Sequence, residues 1–243
     1  MNRERNYGVD ALRLLSMFLI VILHVQGQGG VLPNAVVFSN TYELGWLLDT
    51  CAFCAVNCYA LISGYVGLES RFRLSNIFYL WLQAAFYSVA IMLIFLALRP
   101  GSVGPVVFVG SFFPVVTRRY WYFTAYFALF FVTPFLNLLM QSLSNRRALQ
   151  LVVTLWTLFS VLPTLMHQDL FATAAGYSPL WLAVLYLTGA YCKKTEQGRK
   201  PSAGRALLWY FALVLLAWGA RWILEHLTLR LTGEIRYGDY LTL

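Results

Sequence analysis

The stretch 11-ALRLLSMFLIVILHV-25 decides how this chain is read, because its side chains are apolar except at Arg13, Ser16 and His24. At about 100° per residue, the eleven positions from Arg13 to His24 return a helix to within roughly 20° of its starting face. The guanidinium and the imidazole therefore share one stripe. At about 1.5 Å rise per residue they stand roughly 16 Å apart along the axis, about half the thickness of a bilayer core. Ionisable groups in such a helix are costly, and they ordinarily face a bundle interior or an aqueous path. Taken singly, Arg13 reads equally well as a cation snorkelling to headgroups, and His24 as a hydrogen-bonded packing residue. Their common face is what favours a functional pair.

Composition extends the membrane reading to the whole chain. Hydrophobic residues make up 60% and charged residues 12% of the 243 residues, with mean hydropathy +0.65, whereas soluble domains carry about 25% charge. Since about 20 apolar residues cross the hydrocarbon core, the uncharged runs predict an all-α, polytopic transmembrane bundle of about seven spans. These lie near residues 9–28, 45–67, 74–98, 119–140, 148–166, 178–192 and 206–229. Residues 100–117 are uncharged too, but Pro100, Gly101, Gly104, Pro105, Gly110 and Pro114 break any regular span. An interfacial or re-entrant hairpin fits them better. Trp46, Trp121, Tyr122 and Tyr191 fall near span ends, as interfacial aromatic belts do. No repeat, low-complexity tract or soluble domain interrupts the chain, so residues 1–243 read as one membrane domain.

Orientation follows from the basic residues. With a cytosolic N-terminus, Arg3, Arg5, Arg71, Arg73, Arg146, Arg147, Lys193, Lys194, Arg199, Lys200 and Arg205 fall inside, against Arg99, Arg118, Arg119, Arg230 and Arg236 outside. That bias is the positive-inside pattern. The net charge of +8 is thus accounted for by loops facing anionic lipid, and no nucleic acid partner is implied. No A-x-A-like cleavage site follows His24 at a suitable distance, so the first span is retained rather than removed as a signal. Cys51, Cys54 and Cys58 recur at helical spacing on the second span; with no second ligand pair they read as packing residues, and no metal site is expected. Cys192 reads as a free thiol.

YGVDALR at 7–13 running through His24, LISGY at 61–65, and YWYF at 120–123 followed by TPFLN at 133–137 together resemble the acyltransferase 3 family of bacterial membrane enzymes. The Arg-x10-His spacing on the first span is that family's most specific mark, and it is met here without gap. The resemblance runs from about residue 5 to the end of the chain and thins after residue 140. It implies transfer of an acyl group, usually acetyl from acetyl-CoA as co-substrate, to a hydroxyl or amine of a cell-surface or lipid-linked carbohydrate at the bacterial cytoplasmic membrane. No tightly bound cofactor is implied. It gives His24 the essential catalytic role, with Arg13 as its required partner. The chemistry agrees, because an imidazole can take the proton from an attacking hydroxyl or hold the acyl group as a nucleophile. Both roles stay open.

Acyl-CoA brings phosphates, for which Arg71 and Arg73 are the local cations; plain positive-inside charge explains them equally well. The family often shows Arg-x-x-Arg in this region, whereas this chain has Arg-x-Arg. Asp10, three residues before Arg13, is placed to pair with it. Ser63 and Tyr65 flank Gly64 at a corner where helices can approach closely, and either line a cytosolic vestibule or pack. Trp121 and Tyr122 join the donor side through the motif they sit in. Arg221 and Glu225, four residues apart with His226 following, form an intramembrane pair that reads either as a simple helix salt bridge or, with Asp49, as an acceptor-side polar wall. His167 reads as a solvated loop residue.

Members of the resembled family ordinarily have about ten spans, which implies that residues 1–243, stopping at Tyr240-Leu241-Thr242-Leu243, lack the last ones and insert without efficient transfer. The rival reading is a proton-coupled transporter of small solutes, which would also place Arg and His on one stripe. No inverted repeat or pair of broken helices supports it. A seven-helix receptor is disfavoured by the cytosolic N-terminus, and a non-catalytic scaffold would not bind acetyl-CoA. In a chain stripped of its native cysteines, an impermeant thiol reagent applied to intact cells should reach a cysteine placed in 169–176 and not one placed in 193–205. The reverse pattern would invert the orientation.

Overall fold

A computed structural model describes residues 6–166, 168–196 and 202–235. Arg3, Arg5, His167, Arg199, Lys200, Arg236 and Tyr240 to Leu243 lie outside the described residues. The described chain is helical, with no strand. α1 (Tyr7–Gln26) begins where the Asn6 side chain accepts from the Gly8 and Val9 N–H groups at 3.1 and 3.3 Å. Those are donors that a helix start leaves unpaired. α2 (Asn40–Ala52) starts under a Ser39 cap and continues through Phe53, which keeps helical dihedrals, into α3 (Cys54–Gly67). α4 (Leu74–Leu98) and the seven-residue α5 (Pro105–Ser111) pack on each other at the edge of the bundle. As the breakers in 100–117 predict, no span forms there. α6 (Trp121–Ser142) and α7 (Asn145–Trp156) follow, then α8 (Leu162–Met166), α9 (Pro179–Lys194) and α10 (Ala203–Thr232).

Among the described residues six helical stretches are long and apolar enough to cross a membrane, α2 with α3 and α7 with α8 each counting as one. The remaining expected segment, 178–192, is α9, which at 16 residues is shorter than the roughly 20 of a lipid-facing span but still runs from one end of the bundle to the other. Yet α9 is the most enclosed helix, with Trp181, Leu182, Val184, Leu185, Tyr186, Leu187 and Ala190 all buried. The peripheral helices are the opposite. Only 6% of the most apolar stretch of α1, and 11% of those of α4 and α10, is buried within the protein. Their remaining apolar surface suits lipid, which is as apolar as leucine.

α3 and α9 meet backbone to backbone. A Cβ at Gly64 would lie 1.9 Å from the Tyr186 carbonyl oxygen, and one at Gly189 would lie 2.0 Å from that of Leu61. Only glycine permits that approach, so the Ser63-Gly64-Tyr65 corner is a close helix crossing. α6 joins the same end of α3: the Asn137 and Gln141 side chains donate to the Gly67 and Leu68 carbonyls at 3.0 and 2.7 Å. The Gly67 carbonyl also accepts from the Ser70 N–H and hydroxyl, both at 3.0 Å, so the end of α3 is satisfied from two sides. Within α6, Pro134 cannot donate to Phe130, and the Thr133 hydroxyl takes over that carbonyl at 2.7 Å. The Lys194 ammonium closes the end of α6 by donating to the Met140 and Leu143 carbonyls. A π-type turn at Thr157–Val161 joins α7 to α8 just before Pro163, whose missing N–H interrupts the ordinary ladder.

The helix directions place Arg13, Arg71, Arg73, Arg146, Arg147, Lys193, Lys194 and Arg205 toward one end of the bundle. Arg99, Arg118, Arg119 and Arg230 lie toward the other. The charge asymmetry of the sequence is thus also an asymmetry of the fold.

Gly64→Ala and Gly189→Ala should each lower the thermal unfolding midpoint of the detergent-solubilised protein, by the equivalent of about 1–3 kcal/mol of overpacking. Gly219→Ala is the internal comparison, since nothing lies within 4 Å of a Cβ there. It should leave the midpoint unchanged or raise it. Equal effects at all three positions would show that the α3–α9 crossing is not tightly packed.

Candidate active site

α1 is unbroken from Tyr7 to Gln26, so Arg13 and His24 keep the common stripe and the separation that the spacing predicts. Arg13 Nη1 donates to Asp10 Oδ1 at 3.2 Å, and its side chain remains 44% exposed. The Tyr59 hydroxyl donates to the Arg13 carbonyl at 2.9 Å, fastening α3 to this turn of α1. Near the other end, His24 Nδ1 lies 2.9 Å from the Ile20 carbonyl oxygen. A carbonyl can only accept, so Nδ1 carries the proton in the neutral ring and Nε2 keeps its lone pair. His24 is exposed on α1.

At the Arg13 end, α1, the α3–α4 corner, α6 and α9 enclose a cavity of about 270 Å³. Arg13, Ser63, Arg71 and Arg73 line it together, with Asn76, Tyr126, Asn137 and Tyr186. Four residues from three separate sequence segments are thus brought to one space. Among the described residues no Asp or Glu lines it, although Asp10 pairs with Arg13 beside it. Clustered guanidinium side chains are of the kind that suits an anion with several oxygens. Its wall is fixed by hydrogen bonds. The Tyr186 hydroxyl donates to Asn137 Oδ1 at 2.9 Å while the Asn137 amide donates to Gly67, which holds the carboxamide in one orientation.

The other sequence-derived candidates fall elsewhere. Tyr65 turns away from the cavity and donates to Glu196 Oε2 at 2.7 Å, with the Lys193 ammonium 5.2 Å from its ring centre. Tyr122 stacks on Tyr126 and meets Tyr59 edge-on, forming a file of tyrosines that starts at the cavity wall. Trp121 packs against Tyr177 at 4.4 Å between ring centres. His24 does not line the cavity. Asn76, Tyr126, Asn137 and Tyr186 were missed by sequence reasoning. The available signal was a lone amide inside an apolar run, as at Asn76 and Asn137.

Arg221 and Glu225 sit together in the protein interior, 1% and 0% exposed. Arg221 Nη1 donates to Glu225 Oε2 at 2.9 Å, and its Nη2 pairs with Glu43 of α2. The Tyr42 hydroxyl donates to Glu225 Oε1 at 2.7 Å. The guanidinium also lies over the Tyr42 and Trp46 rings. The pair is therefore an interhelical cluster joining α10 to α2, and it is closed to the cavity. Glu43 and Tyr42 carry no sequence signal, since only folding brings them to α10, and Trp46, read from sequence as an interfacial aromatic, has the Arg221 guanidinium over its ring. Asp49 is buried further along α2. The His226 ring lies between Phe38 and Trp222, and its Nδ1 is 2.8 Å from the Trp222 carbonyl. Cys51, Cys54, Cys58 and Cys192 are free thiols. Among the described residues no three His, Cys, Asp or Glu side chains are grouped as metal ligands.

Comparison with known proteins adds one finding. The profile of the acyltransferase 3 family, described as an acyltransferase domain, matches residues 6–237. No curated protein and no solved structure matches the chain significantly. The profile takes in α1 with Arg13 and His24, every helix around the cavity, and the α2–α10 cluster, so the chain, a multi-pass membrane protein, belongs to the acyltransferase 3 family.

Proposed function

We propose that this membrane acyltransferase moves an acyl group, acetyl in the simplest case, from cytosolic acyl-CoA to a hydroxyl of a cell-surface or lipid-linked carbohydrate. Its setting in this reading is the cytoplasmic membrane of a bacterium, with the Arg13 end in the cytosol. The observation that carries the reading is the cavity in which Arg13, Arg71 and Arg73 converge without a lining carboxylate, at one end of the helix that bears His24. Coenzyme A is a polyphosphate with a long, flexible thioester arm. Arg71 and Arg73 neutralise its phosphate oxygens at the open end, where guanidinium forks suit them better than ammonium groups would. Arg13, held by Asp10, lies along the same α1 stripe as His24 and binds the donor at the start of that path.

His24 supplies the chemistry. Its Nε2 takes the proton of the carbohydrate hydroxyl as the oxygen attacks the thioester carbonyl. The tetrahedral intermediate then collapses with loss of the coenzyme A thiolate, which receives that proton from the imidazolium. An ester C–O bond forms and the thioester C–S bond breaks, so atoms and charge balance without a metal or redox partner. The Ile20 carbonyl holds the proton on Nδ1 throughout and so keeps Nε2 available. A nucleophilic role for His24 would use the same nitrogen, and trapping of an acyl-enzyme separates the two roles.

His24→Ala should cut transfer of radiolabelled acetyl from acetyl-CoA to the carbohydrate acceptor by about 10²–10⁴-fold, while the amount of protein in the membrane is unchanged. Arg13→Lys should fail nearly as badly as Arg13→Ala, because an ammonium lacks the planar fork. Near wild-type transfer by a well-inserted His24→Ala protein would end the assignment.

Arg71→Ala/Arg73→Ala should act on the donor instead. Losing charge-assisted phosphate contacts should raise the acyl-CoA KM by about tenfold or more and leave kcat far less affected. An unchanged donor KM would return both residues to a purely topological role.

A further inference from the structure

The first turns of α2 are held from two sides. On the α10 side, the enclosed Arg221 guanidinium pairs with both Glu225 and Glu43, Tyr42 donates to Glu225, and Trp218 Nε1 donates to the Glu43 carbonyl at 3.2 Å. On the α1 side, Gly45 presents bare backbone. A Cβ there would lie 2.8 Å from Leu32 Cδ2, and Gln26 Nε2 donates to the Gly45 carbonyl at 3.3 Å. Gln26 is the last residue of α1 and is 5% exposed, although it stands only two positions beyond His24. The loop after it closes the unit: Gly29 N–H donates to the His24 carbonyl at 2.8 Å, and Leu32 N–H donates to the Gln26 carbonyl at 2.9 Å.

We propose that Arg221 and Glu43 are positioning residues for His24. Their ion cluster fixes α2 against α10, and α2 in turn fixes the His24-bearing end of α1. This rests on the acyl-transfer reading of His24. Neither residue lines the cavity, and Arg221 is closed off by its partners, so the cluster acts through α2. The physical reason for using charge here is that lipid gives no hydrophobic drive for one apolar helix to sit at a particular depth against another. α10 is a 30-residue helix that packs chiefly on α2, and apolar contacts alone would let it slide. An ion cluster in a low-dielectric setting is directional and short-ranged, so it selects one register. That register reaches His24 through Tyr42, Glu43, Gly45 and Gln26, all within two turns of their helices.

The experiment uses the full chain, purified into lipid nanodiscs, with two readouts. Arg221→Met and Glu43→Gln should each lower kcat for acyl transfer by about tenfold or more while the acyl-CoA KM stays within about twofold. A single change strands the opposite charge, so the uncharged triple variant Glu43→Gln/Arg221→Met/Glu225→Gln is the second arm, and it should lose kcat in the same way. The second readout needs no activity. In a background lacking the native cysteines, nitroxides on Gly27→Cys and Leu231→Cys report by pulsed dipolar spectroscopy how the end of α1 sits relative to α10. The width of that distance distribution should increase about twofold or more in the triple variant. Wild-type kcat with an unchanged distribution in the triple variant would overturn the proposal, as would a loss confined to the donor KM. If the unmodified chain shows no transfer to any acceptor, that result bears on the acyl-transfer reading of this chain alone, and the distance readout decides the proposal: an unchanged distribution in the triple variant overturns it.

Discussion

Gly64 and Gly189 place the backbones of α3 and α9 in direct contact, and most of the architecture depends on that approach. Between helices in lipid the association free energy comes from close packing and hydrogen bonds rather than from removal of apolar surface from water. Two facing glycines let the α9 backbone reach a depth that any side chain would deny it, and so the 16-residue α9 becomes the centre of the bundle. The contact brings the Tyr186 hydroxyl to Asn137. Asn137 and Gln141 then secure the end of α3, from which Arg71 and Arg73 depart toward α4. The cation-lined cavity is a consequence of this crossing.

Charge is kept in two different states within one membrane domain. At the Arg13 end the guanidinium groups are open to a cavity, and Arg71 and Arg73 are exposed. Being exposed, they carry no desolvation cost of the kind a buried ion does. The guanidinium of Arg221 is enclosed among Glu43, Glu225, Tyr42 and Trp46. Taking an ion out of water costs several kcal/mol even after relaxation, and the paired carboxylates and aromatic faces offset that cost only in one geometry. The first arrangement suits recognition of a mobile ligand, and the second suits holding helices in register. His24 lies between these uses, on a helix whose apolar surface is otherwise mostly turned outward.

The hydrogen bond from His24 to Ile20 shows how little machinery a membrane helix needs to set up an imidazole. Donation from Nδ1 to the carbonyl one turn back leaves the far nitrogen as the acceptor. His226 makes the same contact with Trp222, but its ring is pressed between Phe38 and Trp222. The surroundings therefore distinguish the two histidines. Of these two, His24 shares a helix face with an arginine that lines the cavity.

Much of this was legible in the chain itself, because hydrocarbon thickness imposes a length on every apolar run and a helix imposes an angle on every residue. The long spans, the break at 100–117, the shared stripe of Arg13 and His24 and the Asp10–Arg13 pair follow from those two constraints and from local spacing. The segment at 178–192 exposed their limit, since apolar character marks burial in protein and burial in lipid alike, and only packing showed α9 to be a short core helix. Contacts between distant segments were not legible either. Glu43 and Tyr42 look like ordinary residues at a helix start until α10 arrives beside them, and Asn137 and Tyr186 become cavity walls only once α3, α6 and α9 converge. Tertiary structure decided these because each depends on the distance between backbones that the sequence separates by up to 183 positions, a distance set by side-chain volume at crossings such as Gly64 and not by any local pattern.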